Sequence, residues 1–349
     1  NRQSITESGG IDPLVSLLGS DNAAARDHAE GALARLSIDK ANRKLIIEQL
    51  VGMLSSSNSS SAQEQAAAAL ANLARDSTDN RVSIVEAGGI QPLLNLMQSS
   101  SKDKENESSA AKENTIGALV QLAWKSRSNQ DAIAAAGGIP LLVDALTSAG
   151  SSKDNVAGQR ISSLAANALW KLCDKNAANK VLVTEAGAVT ILVGMLGAAN
   201  SEMQTNSAGC LSALSRDNVD NQTLIARTGA IAPLCTLVRE GSPQTKEQCA
   251  SAIWALTYEN APNKATVAKL GGVEPLVGLL VAGTTAKSSS NAAGALASLA
   301  SKHSDNRTAI AKRLVGLLNA KDPKKACRVL TALAGLCDNA PNQVAIAKA

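Results

Sequence analysis

Asn80-Arg-Val-Ser-Ile-Val-Glu-Ala-Gly-Gly-Ile-Gln-Pro-Leu-Leu-Asn-Leu-Met97 contains a helix start, a helix stop and a second helix start. Asn80 reads as the cap of a short helix whose apolar positions are Val82, Ile84 and Val85. Gly88 and Gly89 end that helix, because glycine enters the left-handed region without the clash a Cβ brings. Pro92 falls in the first turn of the next helix, where a missing N–H costs nothing. Leu93, Leu94, Leu96 and Met97 give that helix a buried face.

The same grammar returns along the chain. Anchors stand at Asn1, Asn42, Asn80, Asn129, Asn179, Asn221, Asn263, Asn306 and Asn342, 36 to 50 residues apart. Four residues after each comes an apolar residue: Ile5, Ile46, Ile84, Ile133, Val183, Ile225, Val267, Ile310 and Ile346. A third helical run closes each unit, as in the alanine- and leucine-rich stretches ending at Ala74 and Ala300. Three helices and a period near 42 define one supersecondary unit that buries its apolar face only against its neighbours.

The Ala-Gly-Gly-Ile-x-Pro-Leu turn, the Leu-Leu pair after it and the Ala-x-x-x-Leu-x-x-Leu-Ala third helix resemble the armadillo family, over all 349 residues. The resemblance implies an all-α fold, a right-handed α-solenoid whose third helices line a concave groove. It predicts one array over 1–349, with units 1–41, 42–79, 80–128, 129–178, 179–220, 221–262, 263–305 and 306–341 and a partial unit 342–349. Neither end carries a polar capping repeat, so the segment is expected to be the ordered piece of a longer chain.

Composition fits a shared aliphatic core. The chain is 45% hydrophobic but 1% aromatic, with no Phe, so small aliphatic side chains must fill the space between helices. A net charge of +4 with both signs interspersed is too weak to imply nucleic acid, a reading that would need the basic residues clustered on one face. No apolar run reaches the ~20 residues that span a bilayer, so direct membrane insertion is not expected.

Four units depart from the regular length. Repeats 2 and 8 lack the Gly-Gly-Ile-x-Pro turn, so their first and second helices should run together or leave a stub. Repeats 3 and 4 carry polar insertions at 98–109 and 147–155, expected to be solvated loops between second and third helices. Repeat 5 places Ala188 where the second glycine falls.

No catalytic, cofactor or metal constellation is legible, and the chain reads as a non-enzyme. His28, in a third helix, and His303, in the turn after one, lie far apart without ligand or triad spacing. The six cysteines form no Cys-x-x-Cys pair and read as small buried hydrophobes in a reducing, cytoplasmic setting.

Function is therefore sought in the groove. In nuclear-import adaptors of the armadillo family each third helix offers a Trp and, four residues later, an Asn that hold a basic peptide. Here the Trp column reads Gly31, Ala68, Gly117, Asn167, Gly209, Ser251, Gly294 and Thr331, and the Asn column Arg35, Asn72, Gln121, Lys171, Ala213, Ala255, Ser298 and Gly335. Only Asn72 keeps the pattern, so the adaptor mechanism is not expected. The candidate partner-binding residues are Trp170, Trp254, Tyr258, Ser251, Asn72, Gln121, Asn167, Lys171 and Arg35. For the two indoles two readings stand: exposed hot spots, or rings packed over the neighbouring unit in space left by Gly209 or Ser212. The expected function is a non-catalytic scaffold that binds a protein or extended peptide. The alternative is the interaction domain of a larger enzyme, such as a ubiquitin ligase or motor.

Overall fold

The computed structural model describes residues 2–20, 22–55, 59–75, 77–99, 107–150, 155–283, 285–318, 323–336 and 340–347. Among these residues every regular element is helical. The chain divides into two compact units, Asn1–Ala186 and Gly187–Ala349. The division falls inside repeat 5, between its first and second helices.

In the first unit the third helices are Ala23–Leu36, Ser60–Arg75, Glu107–Ala123 and Val156–Cys173. In the second they are Ser201–Ser215, Pro243–Thr257, Ala286–Ala300 and Pro323–Leu336. The short first and second helices pack behind them and bury the aliphatic stripes that the sequence marks. Ile84, Ile133, Val183, Ile225, Val267 and Ile310, each four residues past an anchor, are all fully buried.

The glycine turn behaves as expected. Gly88, Gly137, Gly187, Gly229 and Gly271 all sit at φ between 71° and 92°, where an L side chain is strained. The glycine after it is pressed against the preceding helix: a Cβ at Gly138 would lie 2.7 Å from Ile133 Cγ2. Ala188 and Ala230 nevertheless occupy this position and are buried. The Ala230 N–H reaches Ile225 O at 3.3 Å, against 2.9 Å at Gly89, so the turn loosens to admit the methyl.

Repeats 2 and 8 lose the turn and fuse two helices into one, over Lys40–Met53 and Ser304–Gly316. The insertion of repeat 3 is shorter than expected, since the third helix already starts at Glu107; its residues 100–106 lie outside those described. In repeat 4 Thr147–Ala149 forms a 3₁₀ turn, and 151–154 lie outside the described residues.

The anchor asparagines are not the caps. The side chains of Ser77, Ser126, Asn176, Asn218, Asn260 and His303, three residues earlier, accept from the anchor N–H. The anchor side chain turns the other way and donates into the end of the preceding third helix. Nδ2 of Asn80, Asn129, Asn179, Asn221, Asn263 and Asn306 meets the carbonyl seven residues back, at 2.7, 3.0, 2.9, 3.1, 2.8 and 3.2 Å. Those carbonyls have no intrahelical partner, so each asparagine closes a helix C-terminus inside the core. It also ties successive repeats together: Asn179 reaches Gln130 O, Asn263 reaches Gln222 O and Asn306 reaches Lys264 O.

The residue after each anchor extends this seam. Arg81, Gln130, Gln222 and Lys264 are long polar side chains that are nonetheless buried. Gln130 Nε2 donates to Lys171 O at 2.9 Å, Gln222 Nε2 to Ala255 O at 3.0 Å and Lys264 Nζ to Ser301 O at 2.7 Å, each on the next third helix. Burial, then the nearby Lys302, lower the Lys264 pKa, opposed by Glu259.

Candidate functional site

The last turns of the third helices bring the chemically distinctive side chains to the surface. Five of these helices hand over to the next element through a non-glycine residue in the left-handed region: Lys125, Lys175, Asp217, Glu259 and Lys302, with φ between 52° and 56°. The residue just before, at the helix end, is Trp124, Asp174, Arg216, Tyr258 or Ser301 in turn.

In the second unit Trp254 and Tyr258 lie on one side of Pro243–Thr257, four residues apart and so one above the other. They are 37% and 51% exposed. With Arg216, Asp217 and Ala255 they line a surface cleft of about 400 Å³. Trp254 is also part of the packing. A Cβ at Gly294, on the next third helix, would lie 2.6 Å from indole Cδ2 and Cε3, so the ring lies directly over that glycine backbone. The space it fills lies over Gly294.

Ser251, expected on the open face, is buried. Its hydroxyl pairs with Ser212 Oγ at 2.9 Å and accepts from Arg216 Nη2 at 3.0 Å. Ser251 thus positions Arg216 at the edge of the cleft. A matching pair, Thr257 Oγ1 to Ser298 Oγ at 2.9 Å, joins the following two third helices.

In the first unit Trp170 is half-buried, with Lys171 Nζ 3.8 Å from its ring centroid. Asn72 donates to Glu30 Oε1 at 3.0 Å, so the one asparagine that keeps the adaptor pattern is held by its neighbour. Gln121 and Asn167 are half-buried, and Asn167 Oδ1 is shielded without a hydrogen-bond partner among the described residues. Arg35 is exposed in the last turn of its helix.

The sequence reading passed over Trp124. It stands three residues beyond Gln121, as Tyr258 stands three beyond Ala255, so the alignment that selects Tyr258 also selects it. Trp124 is 39% exposed, with the Arg81 guanidinium 5.5 Å and Lys125 Nζ 4.9 Å from its ring centroid.

Among the described residues the thiols belong to the core, with one exception. Cys173, Cys210, Cys235 and Cys249 are buried, and burial pushes Cys173 up to about 12 and Cys235 to about 11. Cys327 is exposed, against expectation. Among the described residues no three His, Cys, Asp or Glu converge as metal ligands. No single described helix is long and apolar enough to cross a membrane.

The repeats and their helical fold have counterparts among known proteins. The Armadillo/beta-catenin-like repeat family matches residues 43–75, 176–216 and 218–258. The chain is built from armadillo repeats. A crystal structure of an engineered protein, 27% identical, superposes on the armadillo chain with a TM-score of 0.75, covering 97% of it and 81% of the engineered protein. A designed armadillo repeat protein in complex with the peptide (KR)4 has a TM-score of 0.61 at 21% identity, covering 72% and 99% of the two chains, and shares the fold. Among curated proteins, Protein CELLULOSE SYNTHASE INTERACTIVE 3 of Arabidopsis thaliana is 29% identical over 103 residues. That match spans 28% of this armadillo chain and 5% of the much longer plant protein.

Proposed function

We propose that this armadillo array is a non-catalytic scaffold that binds a protein segment across the last turns of its third helices. Trp254 and Tyr258 are its anchors in the second unit. The observation that carries the reading is the exposure of two neighbouring aromatic side chains, beside Arg216 and Asp217, in a protein with 1% aromatic residues. Trp and Tyr dominate binding hot spots because they combine a large apolar area with a polar handle at low entropic cost. The peptide-bound designed protein supports the reading at the level of the fold. The plant relative, by its name a partner of cellulose synthase, is in keeping with a protein-binding role. That the matched segment is 5% of that relative also supports a place for such an array as the interaction part of a larger protein. The buried thiols are in keeping with a reducing, cytoplasmic setting.

The test is a selection of random peptides on the full chain, followed by titration of the tightest against Trp254→Ala and Tyr258→Ala. Loss of ~2 kcal/mol or more of binding in Tyr258→Ala, with the melting temperature unchanged, supports the site. Selected peptides that bind both variants as tightly as the parent place the binding surface elsewhere.

A further inference from the structure

The third helices of repeats 2 and 3 pack closely, as do those of repeats 5 and 6 and of repeats 6 and 7. Those of repeats 1 and 2, Ala23–Leu36 and Ser60–Arg75, make little contact. One pair of positions shows what fills this space elsewhere. In repeats 5 and 6 Ser212 Oγ meets Ser251 Oγ at 2.9 Å, and in repeats 6 and 7 Trp254 rests on Gly294. The corresponding pair in repeats 1 and 2 is Ala34 and Ala68. Neither methyl spans the gap, and a cleft of about 660 Å³ remains between the two helices.

The cleft runs into the core of the first unit. Leu18, Leu33, Ile46 and Leu50, none more than 5% exposed, line its depth. Ala34 and Ala69 line it from the two third helices, and the exposed Ile38 extends its apolar lining to the surface. Two of its polar groups are already committed. Ser37 Oγ donates to Ala34 O at 2.8 Å, and Asn80 donates to Leu73 O while accepting from Arg43 Nη1. The others form one edge. Asn72 Nδ2 donates to Glu30 Oε1 at 3.0 Å across the gap, and Arg75, three residues past Asn72, shares its helix face. Glu30 and Arg75 are exposed, and among the described residues no ion pair includes either. Apolar clefts of roughly 300–1,000 Å³ with a few convergent polar groups are the form that small-molecule sites take.

We propose that the cleft between the third helices of repeats 1 and 2 binds a small zwitterion with a planar apolar ring, the chemistry of a free aromatic amino acid. The ring enters between Ala34 and Ala69, in the space where repeat 6 places its own indole. The ammonium meets Glu30 and the carboxylate meets Arg75. A head bearing both charges complements an edge bearing both, whereas a singly charged head leaves one of them unanswered. This site lies outside the scaffold reading. Trp254 takes no part in it, so the two succeed or fail separately.

The test is calorimetric titration of the full chain with L-tryptophan, tryptamine, indole-3-propionate and the blocked tripeptide acetyl-Gly-Trp-Gly-amide. L-Tryptophan should bind with a Kd of about 1 mM or below, the scale its size allows. Tryptamine and indole-3-propionate, each lacking one charge, should bind about threefold more weakly. Arg75→Gln should remove the preference over tryptamine, and Glu30→Gln the preference over indole-3-propionate. Ala34→Trp puts an indole into the cleft and should abolish binding. Ala69→Leu narrows the cleft from the other wall and should weaken binding, which keeps the test decisive where Ala34→Trp does not fold. Trp254→Ala should leave binding unchanged. No binding of L-tryptophan at millimolar concentration, undiminished binding in Ala69→Leu, or loss of binding in Trp254→Ala would overturn the site. Charge preferences unmoved by Arg75→Gln and Glu30→Gln would overturn it as well. So would tighter binding of the blocked tripeptide than of L-tryptophan, which assigns the cleft to a polypeptide side chain.

Discussion

Replacing Gly294 by alanine tests the contact that sets the orientation of Trp254. A methyl group there would lie 2.6 Å from indole Cδ2 and Cε3 and 2.7 Å from Cε2, so the ring must move. Overpacking of this kind costs ~1–3 kcal/mol. Against it, alanine in a helix interior gains ~1 kcal/mol over glycine, and Gly294 is central in Ala286–Ala300. In the parent chain Gly294→Ala should therefore be between neutral and ~2 kcal/mol destabilising. In a Trp254→Ala background the clash is absent, and the same substitution should stabilise by ~1 kcal/mol. Trp254→Ala alone should cost ~2–3 kcal/mol, less than the ~3–5 of a fully buried ring, because Trp254 is 37% exposed. Urea and thermal melts of the four proteins close the cycle, with an expected coupling of ~1–3 kcal/mol. Equal effects of Gly294→Ala in both backgrounds would show that the ring does not lie over Gly294.

Other substitutions probe the seam and the strained positions. Asn263→Ala removes the donor to Leu256 O and Gln222 O in a buried site, and should cost ~2–4 kcal/mol in urea melts; a loss below ~1 kcal/mol, the scale of a surface cap, would contradict the clamp. Glu259→Gly relieves a left-handed residue at φ 52° and should raise stability by ~0.5–1 kcal/mol, where an ordinary surface glycine would lower it. Burial raises the pKa of Glu64, opposed by Arg26, so the folded state holds this proton more tightly than the unfolded state. The stability that this adds is present below the usual carboxylate range and lost as pH rises through the folded value. Glu64→Gln should thus gain on the parent at pH 7, and melts at pH 4 should show the gain gone. With Cys337→Ser as parent, a thiol reagent at pH 8 should label Cys327 promptly and the four buried thiols only on unfolding.

Local rules made much of this fold legible. Gly88 and its counterparts were readable because a positive φ is a local demand that glycine alone meets freely. The fused helices of repeats 2 and 8 followed from the missing turn. The anchor asparagines were recognised as a repeat but assigned the wrong bond. The capping signal lay three residues earlier, in Ser77, Ser126, Asn176, Asn218 and Asn260, and sequence spacing alone does not show that the anchor side chain points back into the preceding helix. Ser251 was misplaced for a tertiary reason: Ser212 and Arg216 enclose it from elements outside its own helix. Trp124 could have been found, since it shares Tyr258's column. The cations over Trp124 and Trp170 required coordinates.

The central claim is that partners bind at the last turns of the third helices. Hydrogen exchange of the full chain with and without the tightest selected peptide tests it most directly. Protection should appear at the C-terminal ends of third helices and the residues that follow, around Trp254 to Glu259 or Trp124 to Lys125. Protection confined to the first helices, such as Val219–Arg227 and Ala261–Lys269, with those helix ends unchanged, would contradict it.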